Sequence, residues 1–188
     1  MLEQLLNLVK EHAGSSIVNN PAIPNERNDE AISDVTNSIA GGLQNALANG
    51  QFSDVLKMLG GKGGDMQQNP LAGQLSGGAI SSLMEKFGLN QSDAGGVVSN
   101  LLPGVLQNLV SKTNDPADNS FNIQGIFNSL TGGKTDGLDL QGLLGKVGGS
   151  GFDKDGDGDT DLNDAISLVK DGASGGGLMN MVKGLFGQ

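Results

Sequence analysis

The chain has no cysteine, no tryptophan and no tyrosine, and one histidine among 188 residues. Without cysteine, disulfide frameworks, thiolate-bound zinc, iron–sulfur clusters and cysteine nucleophiles are excluded. With one imidazole and no phenol, the usual groups for general acid–base work, stacking and transition-metal ligation are nearly all missing. Positive charge is scarce too: 11 Lys and Arg stand against 21 Asp and Glu, a formal net charge of −10. A phosphate-backbone partner needs a cationic footprint, so this balance argues against nucleic acid. No apolar run approaches the roughly 18 residues of a membrane span. The start, Met1-Leu2-Glu3-Gln4, lacks the basic stretch of a secretory leader. The expectation is a soluble cytoplasmic protein, with export by another route left open.

Glycine is the abundant residue, 32 of 188, more than twice the usual share of about 7%. Leu, Ile, Val and Phe together number 50, which clears the roughly 20% below which chains stay disordered. A core of Leu and Val is therefore feasible, at a raised entropic cost for each glycine that must be ordered.

Helical periodicity dominates, and no window alternates with the period of a strand. Residues 2–12 place Leu2, Leu5, Leu6 and Val9 on one face. Ala13–Arg27, with Asn20-Pro21 and Ile23-Pro24, reads as an extended loop. A second helix starts at Asn28 or Asp29, where acidic residues suit the first turn. Its stripe is Ile32, Val35, Ile39, Leu43 and Leu47, and Gly50 ends it. Phe52–Leu59 forms a short helix stopped by Gly60-Gly61.

The clearest start signal is Asn69-Pro70, an N-cap side chain before a proline at the first helical position. Leu71, Leu75, Leu83, Met84 and Phe87 follow, closed by Gly88. Asn90 opens another helix, which Pro103 should kink or restart. Short helices near Ile123–Leu130 and Leu138–Val147 each end in a glycine pair. Four such apolar segments stopped by glycine read as C-caps, with a glycine-mediated assembly surface as the minority reading. Gly60-Gly61-Lys62-Gly63-Gly64 lacks both the spacing and the preceding strand of a phosphate loop, so it reads as linker. His12, ending the first helix, suits a capping or surface role.

Residues 153–164 concentrate the chemistry. They read Asp-Lys-Asp-Gly-Asp-Gly-Asp-Thr-Asp-Leu-Asn-Asp, six aspartates and one lysine. Packed into a compact loop, those carboxylates repel by about 1 kcal/mol per close pair even in water. Such a segment either stays open as a solvated acidic tail or wraps a hard cation. Its order fits a cation. An EF-hand-type loop takes oxygens from positions 1, 3, 5, 7, 9 and 12, with glycine at 6 for the sharp turn. Counting from Asp153 puts Asp153, Asp155 and Asp157 at 1, 3 and 5, and Gly158 at 6. Asp159 at 7 would offer its carbonyl, Asp161 at 9 would act directly or through water, and Asp164 at 12 would close the site. An all-oxygen set of six or more donors favours Ca2+ over Mg2+, and the loop offers no thiol or imidazole for softer metals. Leu162, Ile166 and Val169 make the apolar stripe of an exiting helix.

This loop resembles the calcium loop of dockerin modules, which run Asp-x-Asp/Asn-Gly-Asp-Gly and close on Asp. It departs from a full EF-hand, because Gly148-Gly149-Ser150-Gly151-Phe152 cannot form an entering helix. Only one loop is present where a dockerin has two, so a cohesin partner is not implied.

Upstream, Leu83-Met84-Glu85-Lys86-Phe87-Gly88-Leu89-Asn90-Gln91-Ser92-Asp93-Ala94, followed by Leu101-Leu102-Pro103-Gly104-Val105-Leu106, resembles the YidB-like family of bacterial proteins. The likeness is closest over 69–113 and extends loosely to 149. It implies an all-helical bundle and carries over no catalytic residue. The expected organisation is therefore an N-terminal helical segment with linker over 1–64, a YidB-like bundle over 65–149, and the calcium loop with C-terminal helices over 150–188.

The fold class expected is all-α: a glycine-rich bundle of short helices ending in an EF-hand-like loop. The expected function is a non-catalytic, calcium-binding structural or self-assembling protein. The alternative is a calcium-responsive interaction module presenting Leu178–Phe186 to a partner. That apolar segment folds back onto the bundle, meets a second copy or another protein, or lies on a membrane surface, in decreasing order of preference.

Overall fold

A computed structural model describes residues 1–118, 120–146 and 161–172. Among these the protein is all helical, with eight α-helices and no strand: α1 (Leu2–Ala13), α2 (Asn28–Ala48), α3 (Phe52–Leu59), α4 (Pro70–Phe87), α5 (Gln91–Thr113), α6 (Ile123–Thr131), α7 (Leu140–Lys146) and α8 (Leu162–Gly172). No helix among the described residues is long and apolar enough to cross a membrane.

Helices α1, α2, α4 and α5 pack in a closed cycle, each against the next and α5 back against α1. This is the neighbour pattern of a four-helix bundle. Helix α3 lies on α2 and α5, α6 lies on α2, and α7 bridges α3 and α6. One apolar cluster runs through all eight helices, from Leu5 in α1 to Ala165 in α8. The rings of Phe52 and Phe127 meet at 5.0 Å, tilted by 59°, which ties α3 to α6 by a favourable aromatic contact.

The helix boundaries follow local chemistry. Asn69 Oδ1 accepts the N–H groups of Leu71 (3.0 Å) and Ala72 (3.2 Å), with Pro70 at the first position. Gly88 takes the left-handed conformation at φ 66° and returns its N–H to Met84 O at 3.1 Å. Asn90 Oδ1 accepts Asp93 N–H at 2.9 Å and starts α5. Each cap satisfies backbone groups that a helix end leaves without partners.

Four local expectations are corrected. The stretch after Ala13 is not extended throughout. Gly14–Val18 forms a π-helical turn that buries Ile17 and Ser16, and Asn25–Arg27 forms a 3-10 turn. Proline biases only the residue before it, so Pro21 leaves Gly14–Val18 free to coil inward. Pro103 does not restart its helix, since α5 runs from Gln91 to Thr113 with the proline inside it. Val98, Leu101, Leu102, Val105 and Leu106 are all buried around it. At about 1.5–3 kcal/mol per buried side chain, that burial exceeds the roughly 3 kcal/mol cost of an internal proline. In α1, Leu2 stays 50% exposed while Leu8 is buried. In α4, Met84 is 37% exposed, and Ala72 and Ala79 complete the buried face with Leu71, Leu75 and Leu83.

Candidate metal centre

Of the six aspartates read as cation ligands, Asp161 and Asp164 are among the described residues. Asp153, Asp155, Asp157 and Asp159 lie outside them. The structure brings Asp161 and Asp164 together at the start of α8. Asp161 Oδ1 accepts the N–H of Asn163 at 2.7 Å and of Asp164 at 3.2 Å, and its Oδ2 accepts Asn163 Nδ2 at 2.9 Å. In return, Asp164 Oδ2 accepts the N–H of Asp161 at 2.9 Å. This is a capping box built from two aspartates, each side chain holding the other's backbone.

Helix α8 begins at Leu162, position 10 of the twelve-residue pattern, directly after the ninth-position aspartate. Both carboxylates stand at its N-terminal end, where the helix dipole favours negative charge. Asp164 is 0% exposed. A carboxylate taken fully out of water needs hydrogen-bond donors or cations around it. The next residue, Ala165, is equally buried and belongs to the common core, and Leu162 packs against it. The expected stripe of Leu162, Ile166 and Val169 is thus modified. Leu162 and Ile166 are half-buried, Ala165 is the fully buried residue, and Val169's side chain lies outside the described residues.

Among the described residues, no group of three or more His, Asp or Glu is placed to hold a metal ion. His12 does not act as a simple cap. It is half-buried against α5, where Asn108 Nδ2 donates to its Nε2 at 2.6 Å. A Cβ added at Gly104 would stand 2.9 Å from its Nδ1. Gly104 thus makes room for the imidazole, and the ring serves the α1–α5 contact. Asp118 accepts both the Ser120 hydroxyl and its backbone N–H, with the N–H at 2.8 Å. These bonds hold its carboxyl below the usual range, and Lys112 at 3.4 Å adds to the effect. A shallow cleft lined by Val18, Asn19, Asn20, Pro21, Ile23, Pro24 and Asn25 carries no charged side chain.

Sequence reasoning missed the buried Asp34 and its partner Lys86, the lysine Nζ donating to Asp34 Oδ1. The available signal was an acid beside the apolar stripe of α2. It also missed a role for the Gly60–Lys62 turn. Gly60 lies under the side chain of Leu144, and Lys62 Nζ donates to Leu144 O at 2.8 Å.

No family model, no curated protein and no solved structure matches the chain.

Proposed function

We propose that residues 153–164 hold one Ca2+ and that the ion fastens the C-terminal part of the chain to the helical bundle, as a structural and non-catalytic element. The single observation carrying this reading is the pairing of Asp161 and Asp164 at the mouth of α8, in register with the alternation of aspartate and glycine before them. Positions 9 and 12 meet at the first turn of the exiting helix, with the twelfth-position carboxylate buried.

The donor set is all oxygen, so it suits a hard cation. Asp153, Asp155 and Asp157 would provide carboxylates, Asp159 its carbonyl, and Asp161 and Asp164 the closing side. The likeness of 69–149 to the YidB-like family points to a bundle without catalytic residues. Self-association belongs to the same reading, through the C-terminal apolar segment Leu178–Phe186, which lies outside the described residues.

Binding to the folded state alone stabilises it by about 2.7 kcal/mol when free Ca2+ is about 100 times the Kd. For a chain of this size that is a rise in Tm of about 5–10 °C. The test is calorimetric melting with millimolar CaCl2 against EGTA, on the wild type and on Asp155→Asn/Asp157→Asn. The proposal expects the rise in the wild type and its loss in the variant. Equal melting temperatures with and without calcium would remove it.

A further inference from the structure

We infer that Asn49-Gly50, the joint between α2 and α3, is a site of spontaneous deamidation, gated by opening of the last turn of α2.

The chain has a single Asn-Gly step, and the fold leaves it at a helix end. Asn49 is the first residue after α2 and is exposed. Its side-chain amide has no hydrogen-bond partner among the described residues. Gly50 follows at φ +76°, and its N–H also lacks an acceptor among them. The N–H groups on either side are held: Asn49 N–H by Asn45 O at 3.0 Å, Gln51 N–H by Ala46 O at 2.9 Å. Asn37 and Asn45, by contrast, lie inside α2, where the helix ladder engages the backbone that follows them.

The chemistry needs only water. The Gly50 nitrogen gives up its proton to hydroxide and attacks Asn49 Cγ. The N–Cγ bond forms, the Cγ–Nδ2 bond breaks, and the amide nitrogen takes a proton from water and leaves as ammonia. Water then opens the cyclic imide at either carbonyl. One opening yields aspartate. The other yields isoaspartate, in which the main chain runs through Cβ and Cγ. Glycine suits the attack, because no Cβ crowds the forming ring.

At ψ 24° the Gly50 nitrogen faces away from the Asn49 side chain. Attack therefore requires ψ to turn, which swings Gln51 off Ala46 O and undoes the end of α2. Helix ends open more readily than a core does, so the folded protein reacts at a rate set by that opening. Isoaspartate lengthens the main chain directly before Gln51 and Phe52. Phe52 is 1% exposed and meets Phe127 at 5.0 Å. Either product also puts a carboxylate at the C-terminal end of α2, where the helix dipole disfavours it. Deamidation thus weakens the bundle where α3 joins it.

The experiment incubates the full-length chain at mildly alkaline pH, folded and in concentrated urea, and digests it with trypsin. Residues 28–57 come away as one peptide, in which Asn28, Asn37 and Asn45 serve as internal references for Asn49. Mass spectrometry with electron-transfer fragmentation locates the conversion of amide to acid and distinguishes isoaspartate from aspartate. In the folded chain, conversion at Asn49 should be at least about tenfold faster than at the references, and faster again in urea. The melting temperature of the incubated wild type should fall. Asn49→Gln, whose longer side chain must close a larger ring, should keep both its amide and its melting temperature. A folded chain in which Asn49 converts no faster than Asn37 and Asn45 would overturn the inference. Equal rates at Asn49 with and without urea would overturn the gating by α2.

Discussion

Lys86, in the last turn of α4, reaches across to Asp34, a residue of α2 that is only 4% exposed. The lysine Nζ donates to Asp34 Oδ1, while Oδ2 is buried without a hydrogen-bond partner among the described residues. Arg27 completes the join: it donates to Lys86 O at 3.1 Å and lays its guanidinium 4.3 Å above the Phe87 ring. The start of α2 is thereby fastened to the end of α4.

A buried carboxylate with one oxygen already lacking a partner is sensitive to losing the other bond. Lys86→Met should lower unfolding free energy by about 1–3 kcal/mol, the cost of leaving a buried acceptor without its donor. Asp34→Leu/Lys86→Met should recover most of that loss, since removing both partners also removes the desolvation penalty. Urea denaturation with unchanged m-values measures both. A double variant no more stable than Lys86→Met would contradict the argument.

The same corner sets a pH dependence. The bidentate bond from Arg27 (2.8 and 3.0 Å) holds the Glu30 carboxyl below its usual range. Its contribution is therefore full above the unfolded carboxylate value and is lost as pH falls through the lower folded value. The hydrogen bond to Asp34 raises the Lys86 ammonium above its ordinary value. That contribution is full below the unfolded lysine value and is lost as pH rises through the higher folded one. Melting from pH 7 down to about pH 2 should fall less steeply for Glu30→Gln than for the wild type. Added salt should shrink the difference, because the pair is exposed. Parallel curves would show that the pair contributes nothing.

The glycines of α4 divide by their surroundings. A Cβ at Gly73 or Gly77 meets nothing within 4 Å, and both positions are helical and exposed. Gly73→Ala and Gly77→Ala should each raise stability by about 0.5–1 kcal/mol. Gly88 also has open space, but its φ of +66° belongs to the left-handed region. Gly88→Ala should cost about 1–2 kcal/mol. Asn69→Ala, which removes the acceptor of two backbone N–H groups, should cost about 1 kcal/mol. Thermal denaturation of the four variants ranks them directly, and a stabilising Gly88→Ala would reverse the reasoning.

What was legible in the sequence was the local part. Asn69-Pro70, Gly88 and Asn90 each state a cap through one side chain or one missing Cβ, and each cap sits where the spacing puts it. What was hidden depends on residues distant in the chain. Nothing near Asp34 shows that Lys86, 52 positions on, will meet it. Gly104 gives no local hint that it makes room for His12. The Gly60–Lys62 run looks like a linker because its purpose resides in Leu144. Leu2 and Leu8 exchanged places in the core because a periodic stripe fixes a face but not which end of it the neighbours cover. In the candidate site, what was legible was a spacing that picks out Asp161 and Asp164 as positions 9 and 12 of an EF-hand-type pattern. Their mutual capping was not, since a capping box is normally signalled by Ser or Thr with Glu or Gln.

The central claim is that six aspartates hold one cation, and counting that cation tests it most directly. Equilibrium dialysis of the full-length chain against 45Ca2+ should give one ion per chain, abolished in Asp155→Asn/Asp157→Asn and retained in Lys86→Met, whose substitution lies outside the loop. A chain that retains no calcium at millimolar concentration, or a loop variant that retains as much as the wild type, would contradict the account.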